Sequence, residues 1–345
     1  MTIILKTNGK VFSGWLSAQI ERSLDAISGH FSISYTDVWN GQENSWMLKA
    51  GDVCTVEIEK EVIITGIIDT VSVNLTSSER NLKVTGRDKT GLLVDSGTLT
   101  HQKTFKGQSL KKMAESLGAP FGIAVTSTSS VADKTIDNVS YQYQETIWET
   151  INRLSIYQGV LAYPDARGGI IFSDIASDST VSEKLDETKN ILEIETRTDA
   201  SKKFQKYIVI SHTGTSDNKV TTTRAEAVDN SVKEPRAKII TTSKKTDKNG
   251  AQARANWEMA MAVAKSFFAN VTVVGWKNSE GRLWEINTMA NLHAPSCGIN
   301  GTFLIESTVF SLDSENGMTT RLRLVLRDSY KPQPDRNKTE DGVES

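Results

Sequence analysis

Most of the chain alternates polar and apolar residues with a period of two, and only three long stretches change to the helical period. In GDVCTVEIE (51–59), Cys54, Val56 and Ile58 share one face and Val53, Thr55 and Glu57 the other. VIITGIIDTVSVNL (62–75) is rich in β-branched residues, and RNLKVTG (80–86) returns beside it across a polar turn at 76–79. The same texture resumes at NILEIETRTD (190–199), KYIVISHTG (206–214) and AKIITTSK (237–244). It continues through VTVVGW, RLWEINTMANLHA, GTFLIESTVFSLDS and MTTRLRLVLRD, with Asn316-Gly317 predicting a tight hairpin turn between the last two.

Two of the helical stretches lie close together. GQSLKKMAESLGAP puts Leu110, Met113, Ala114 and Leu117 on one face, with Gly118 at the stop and Pro120 just beyond. QETIWETINRLSIYQG aligns Ile147, Ile151 and Leu154 and closes at Gly159. Two short strands, VLAYP and GIIFSD, follow across 165–168, so 100–175 reads as a small α/β insert between larger β units. The third helix is expected from Ala251 to Phe268, with Trp257, Met261, Ala264 and Phe268 along one stripe. Thr215 to Lys233 is polar and aperiodic, which predicts a mobile loop. KPQPDRNKTEDGVES (331–345) predicts a disordered tail. The expected division is a first β-domain at 1–97, the insert at 98–184, a second β-domain with the long helix at 185–330, and the tail.

One short stretch invites a catalytic reading. VTGRDKTGLLVDSG (84–97) ends a strand on Arg87-Asp88-Lys89 and starts an apolar turn at once. Asp88 is expected to cap that turn through its carboxylate, Arg87 to pair with a neighbouring acid, and Leu92 and Leu93 to press the turn onto the sheet. Almost the same order recurs: GIIDTVSVNLTSSERNLKVTGRD (66–88) and FLIESTVFSLDSENGMTTRLRLVLRD (303–328) each give an apolar pair, an acid, a strand, a polar turn and a strand ending in Arg-Asp. Trp46 to Asp88 is 42 positions and Trp284 to Asp328 is 44. One β-domain therefore occurs twice. A scaffold junction has to recur in both copies and a catalytic group does not, so Arg87, Asp88, Arg327 and Asp328 are assigned to a structural corner.

Composition narrows the classes further. The 345 residues are enough for two or three domains with real cores. With 40 basic and 42 acidic residues the formal charge is −2, which gives no general attraction to nucleic acid or anionic membrane. No stretch approaches the ~20 apolar residues of a membrane span, and MTIILKTNGK has too short an apolar run for a signal peptide, so cytosolic synthesis is expected. Cys54 and Cys297 are expected to stay unpaired in a reducing compartment. His30, His101, His212 and His293 do not fall at metal-ligand spacing, and no cofactor motif is present. Gly168-Gly169 is not followed by a helix and suits a hairpin turn better than a phosphate loop. KTDKNG (245–250) reads as a solvated helix entry, and no GxSxG or isolated carboxylate pair stands out. No enzyme is indicated.

The order of motifs resembles the baseplate hub (tail) proteins of Mu-like contractile-tailed phages and prophages. The residues that carry the likeness are Phe12-Ser13-Gly14-Trp15, SLDAISGHFSIS and GRDKTGLLVDS, then ARANWEMAMAVAKS, LWEIN and GTFLIESTVFSLDSENGMTTRLRLVL. ETIWETINRLSIYQGVLAYPDARGGIIFSD is similar to the insert shared with type VI secretion spike proteins. The likeness spans 1–330. It implies a mainly β fold with an α+β insert, two tube-type β-barrel domains flanking a small α/β domain. It also implies a homotrimer that adapts a six-fold tail tube to a three-fold spike in the virion tail baseplate. The partners implied are the tail tube protein, a central spike protein and other baseplate proteins, with DNA only passing through the channel and no membrane insertion by this chain. Val, Ile and Thr of 51–73 and 303–326 are expected to line the channel. Two other classes stay open at this point: a tail-associated cell-wall hydrolase and a carbohydrate-binding module.

Overall fold

A computed structural model describes residues 2–38, 48–76, 79–98, 104–140, 144–176, 181–216, 219–242 and 246–334. Trp46, one anchor of the repeat, and the tail beyond 334 lie outside these residues. The first β unit contains β1 (Ile3–Thr7), β2 (Lys10–Phe12), β3 (Ser17–Ser23), β4 (His30–Val38), β5 (Val53–Ile58), β6 (Glu61–Leu75) and β7 (Glu79–Asp88). Alternation sets their faces: Ile20, Phe31, Ile33, Leu82 and Val84 are buried, while Gln19 and Lys83 between them are exposed.

After α1 (Gly91–Asp95) the insert runs β8 (Thr104–Ser109), α2 (Leu110–Gly118), β9 (Val125–Ser127), β10 (Thr135–Ser140), α3 (Ile147–Gln158), β11 (Leu161–Pro164) and β12 (Ile170–Ser173). Its core joins Leu110, Met113 and Leu117 of α2 to Ile147, Ile151 and Leu154 of α3. Ser109 caps α2, and Thr146 with Glu149 forms a capping box at the start of α3. Gly159, at φ 74°, ends α3 in the left-handed conformation. Leu93 and Ile27 also sit in this core, so the turn after β7 presses onto the insert rather than onto its own sheet.

The second β unit follows as β13 (Val181–Asp186), β14 (Ile191–Thr198), β15 (Lys206–Ser216), β16 (Lys219–Val228), β17 (Ala237–Thr242), α4 (Lys248–Ala264), β18 (Phe267–Val274), β19 (Met289–Ala294), β20 (Ile299–Asp313) and β21 (Gly317–Val325). Three expectations change here. Most of 215–233 is not a loop: β16 pairs with β15, and its residues in the small core are Ala225 and Ala227, too small to advertise a strand. The long helix stops at Ala264, and Phe268 belongs to β18. Its buried residues are Ala251, Ala255, Glu258 and Ala264. Ala251 and Ala255 are small enough to lie close on Tyr207 and Val209 of β15, and of the expected stripe only Ala264 is fully buried within the helix. Lastly, the stretch before Met289 in RLWEINTMANLHA is not strand.

The two β units repeat one topology. Neighbouring strands run β3-β4-β7-β6-β5-β1 in the first and β14-β18-β21-β20-β19-β13 in the second. Ranked by chain position, both are 2-3-6-5-4-1. They differ in the last strand, since β1 is antiparallel to β5 whereas β13 is parallel to β19. The units are also joined. Ser307–Leu312 of β20 pairs with β3, so one 13-stranded sheet runs through both. Among the described residues the pairing runs from β14 to β2 and branches at β20, where β19 and β13 leave it.

Candidate functional site: a docking corner and the face of the shared sheet

Arg87 and Asp88 have separate roles. The Arg87 guanidinium lies between two acids, with Nε 2.8 Å from Asp69 Oδ2 and Nη2 2.8 Å from Asp95 Oδ2. These bonds hold Arg87 firmly charged and keep the Asp95 carboxyl below its ordinary range. Asp88 does not cap α1, whose cap position is Thr90 and carries no side-chain capping bond. Its carboxylate turns inward instead. Oδ2 accepts the Gly29 N–H at 2.8 Å, and the Asp88 N–H donates to Gly29 O at 2.9 Å. Oδ1 is buried with no hydrogen-bond partner among the described residues. Burial pushes the Asp88 carboxyl up to about 7, against the pull of Arg22 and the Gly29 N–H.

This corner docks the insert. Arg22 Nη2 donates to Pro164 O at 2.8 Å, Thr65 Oγ1 to Ala166 O at 2.9 Å, and Lys89 Nζ to Gly122 O at 2.8 Å. In these three bonds the β unit supplies the donor and the insert's backbone the acceptor, while Ile147 N–H of the insert donates to Ser96 O at 2.9 Å. Gly66 lets β6 and β7 meet here, since a Cβ at that position would lie 1.8 Å from Arg87 O.

Arg327 and Asp328 do not repeat this arrangement. Both are exposed at the start of a single 3-10 turn after β21. What does repeat is a β-bulge. β6 and β20 are each 15 residues long, and each shifts register by one residue, at Asp69 and at Glu306. Both bulge residues are acids and both hold an arginine. Asp69 holds Arg87, and Glu306 Oε2 accepts from Arg323 Nε at 2.5 Å. Arg323 also stacks over Phe268, 3.9 Å from the ring centre. The sequence likeness thus marked the right strands with the wrong residues, because a bulge is a property of pairing.

One face of the shared sheet covers the two cores. The other face is mainly polar, interrupted by Val309 of β20 and by Phe268 and Val274 of β18. Across the first unit it carries Ser17, Gln19 and Glu21 of β3, Ser32 and Ser34 of β4, Lys83 and Thr85 of β7, and Thr70, Ser72 and Asn74 of β6. Across the second it carries Glu193, Glu195 and Arg197 of β14, Asn270 and Thr272 of β18, and Arg321 and Arg323 of β21. Most valines and isoleucines of 51–73 and 303–326, such as Val56, Ile64, Ile68, Ile305 and Val325, are buried in the core, which corrects the expectation that they line a channel. Two recesses on this face, of about 260 and 210 Å³, fall below the ~300–1,000 Å³ of small-molecule clefts.

Several strand edges of the sheet have no described strand against them, including the outer sides of β2 and β13, and two carry exposed large apolar residues inside a long strand. One is β14, on the side away from β18; the other is β6 beyond its bulge, on the side away from β7. Each exposes apolar side chains: Leu192 in β14, and Val73 and Leu75 in β6. Unpaired edges of this kind are templates for another chain.

Known proteins share this architecture. Residues 2–88 match the N-terminal model of Mu phage baseplate assembly protein GpP-like proteins. Residues 90–174 match the second domain of gp44-like baseplate hub proteins, and 247–333 the fourth domain of Mu phage baseplate assembly protein GpP. The chain is 28% identical over 340 residues to the baseplate hub protein gp44 of Escherichia phage Mu, covering 95% of this chain and 89% of that protein. The crystal structure of the prophage MuSo2 43 kDa tail protein from Shewanella oneidensis superposes with a TM-score of 0.85 at 29% identity, covering 97% of this chain and all of that one (100%). A tail protein from Neisseria meningitidis MC58 shares the fold, with a TM-score of 0.81 at 21% identity over 96% of this chain and 98% of that one. The three matched segments follow one another in order along the polar sheet and its insert, and the chain belongs to the family of Mu-like phage baseplate hub proteins.

Proposed function

We propose that this chain is the hub subunit of a contractile-tail baseplate, and that three copies close a ring around an open channel. The observation that carries this reading is the repeated 2-3-6-5-4-1 topology in two units joined through one sheet. Three such chains present six similar units to a six-fold tail tube and keep true three-fold symmetry for a central spike; two chains would present four units and six would present twelve. The partners are then the tail tube protein, the spike protein and other baseplate proteins. DNA passes through the channel without a dedicated site, and the polar, hydroxyl-rich face of the sheet is the wall it passes. No helix among the described residues is long and apolar enough to cross a membrane. The chain is made in the host cytoplasm and built into the virion tail. Its role is structural, with no reaction of its own and no cofactor.

Light scattering on the purified full chain tests the ring directly, with a mass of three chains expected at micromolar concentration. A mass of one chain, unchanged after mixing with the tube and spike proteins, would overturn it. Peptidoglycan turbidity and glycan-array assays are expected to give blank results, and activity in either would favour the hydrolase or carbohydrate-binding reading.

A further inference from the structure

Residues 199–266 leave the shared sheet and return to it at one point. β14 ends at Thr198 and β18 begins at Phe267, opposite each other in the ladder, and just beyond them the Asp199 N–H donates to Ser266 O at 2.7 Å. Between these ends, β15, β16, β17 and α4 close around a core of their own that includes Tyr207, Val209, Ala251 and Ala255. This module therefore stands on a two-strand stalk. Its helix α4 meets the rest of the chain mainly at the 3-10 turn Arg327–Tyr330. There, three consecutive residues each engage a different part of the molecule. The Tyr330 hydroxyl lies 2.5 Å from Asp25 Oδ1, between β3 and β4 of the first β unit, and 2.8 Å from Glu306 Oε1 of the second. Tyr330 also packs against the small core that holds Leu24, Ala176 and Leu304. Lys331 O accepts the Trp257 indole N–H of α4 at 2.8 Å. Pro332 fits against Gly159 at the end of α3, where a Cβ would lie 2.3 Å from the Pro332 Cβ. Both β units, the α4 module and the insert thus converge on Tyr330–Pro332.

We propose that 199–266 is a hinged module and that Tyr330–Pro332 is the clasp that locks it to the insert and the sheet. The stalk supplies the hinge, because two strand ends meeting at one point leave rotation about that point open. The lock is small: one hydroxyl, one indole N–H and one proline contact, none of them part of a strand ladder. Units joined over so little surface move relative to one another unless something holds them. Opening the clasp frees the module without breaking a strand pair, and closing it fixes the module and the insert at one angle. The device lies within one chain and works with or without ring closure.

The test uses the full chain with Cys297→Ser, which removes the exposed thiol and leaves Cys54 buried. Ser116→Cys on α2 and Lys233→Cys on the module, both at exposed positions, carry spin labels for pulsed electron spin resonance. Singly labelled chains assembled together give the distances between copies, which are subtracted. With the clasp intact, one narrow distance distribution within the chain is expected. Trp257→Phe combined with Pro332→Gly should widen it at least about two-fold, as a released hinge requires, and leave the circular dichroism spectrum unchanged. Should that pair disturb folding, Tyr330→Phe, which keeps the ring and removes only the hydroxyl, decides by the same widening. A distribution equally narrow with and without the clasp contacts overturns the clasp. One already broad with the clasp intact overturns the lock.

Discussion

Asp88 and Glu306 are both buried carboxyls near arginine, yet each is held differently. Glu306 shares the Tyr330 hydroxyl with Asp25, at 2.8 and 2.5 Å. One O–H can donate to only one of them at a time, and burial with the Asp25 charge raises the Glu306 carboxyl above its ordinary range against the pull of Tyr330 and Arg323. Asp88 has a single backbone donor and an orphan oxygen. In the unfolded chain its carboxyl titrates near ~3.9, and in the folded chain at about 7. Below the first value it is neutral in both states, and its contribution is fully present. As pH rises through the second the buried group ionises and that stability is lost, on the order of a few kcal/mol. Asp88→Asn keeps an acceptor for Gly29 without the charge. Relative to the natural chain it should gain stability between pH ~4 and ~7 and level off above, which paired urea melts across that range would measure. Equal melts at pH 5 and 8 would show that Asp88 does not titrate in this window. The cap role expected for Asp88 comes from local sequence, whereas its real partner is 59 residues away and invisible there.

At the level of elements, the sequence was most readable where packing is local. Both helices of the insert, the stop of α3 at Gly159 and the β11–β12 hairpin follow from spacing and glycine alone. By contrast, α2 runs through right-handed Gly118 into a 3-10 turn that ends on left-handed Gly122 at φ 61°. β16 was hidden because its buried positions are alanines, and α4 was misplaced because alanine also forms its buried face. Glu258 shows how that face tolerates a charge: burial alone would raise its carboxyl, but Lys238 and Arg254, at 2.9 and 2.7 Å, bring it below its usual range. The insert has its own core, and its hydrogen bonds to the first β unit end on backbone carbonyls. Replacing 104–173 by a short Gly/Ser linker should therefore leave a cooperative β melt, at a lower temperature because Ile27 and Leu93 lose their cover. Loss of all cooperative β signal in circular dichroism would mean that the β units cannot stand without the insert.

For the whole molecule, the duplicated topology was visible in the sequence as two Arg-Asp endings, while the shared sheet was not, since the β3–β20 pairing joins positions nearly 300 residues apart. In the proposed ring, that sheet is the face that would meet DNA. On its polar face Glu21, Asp69, Glu193 and Glu195 stand against Lys83, Arg87, Arg197, Arg321 and Arg323, and the spaces between are filled mostly by Ser, Thr, Asn and Gln. Several of the arginines are already committed: Arg87 to Asp69 and Asp95, and Arg323 to Glu306. A wall of this kind offers few free cations to displace counterions from phosphate, and counterion release supplies nearly all non-specific affinity. Duplex DNA should therefore bind more weakly than the ~10⁻⁴–10⁻⁶ M usual for non-specific binders at physiological salt. Replacing Glu193 and Glu195 by lysine would change the balance without touching the core, and a closed ring would repeat each change three times. Fluorescence anisotropy with a short labelled duplex should then show binding that appears at low salt and falls steeply as salt rises. If the unaltered ring binds duplex DNA tightly at physiological salt, the polar face is a grip on DNA and not a passage for it.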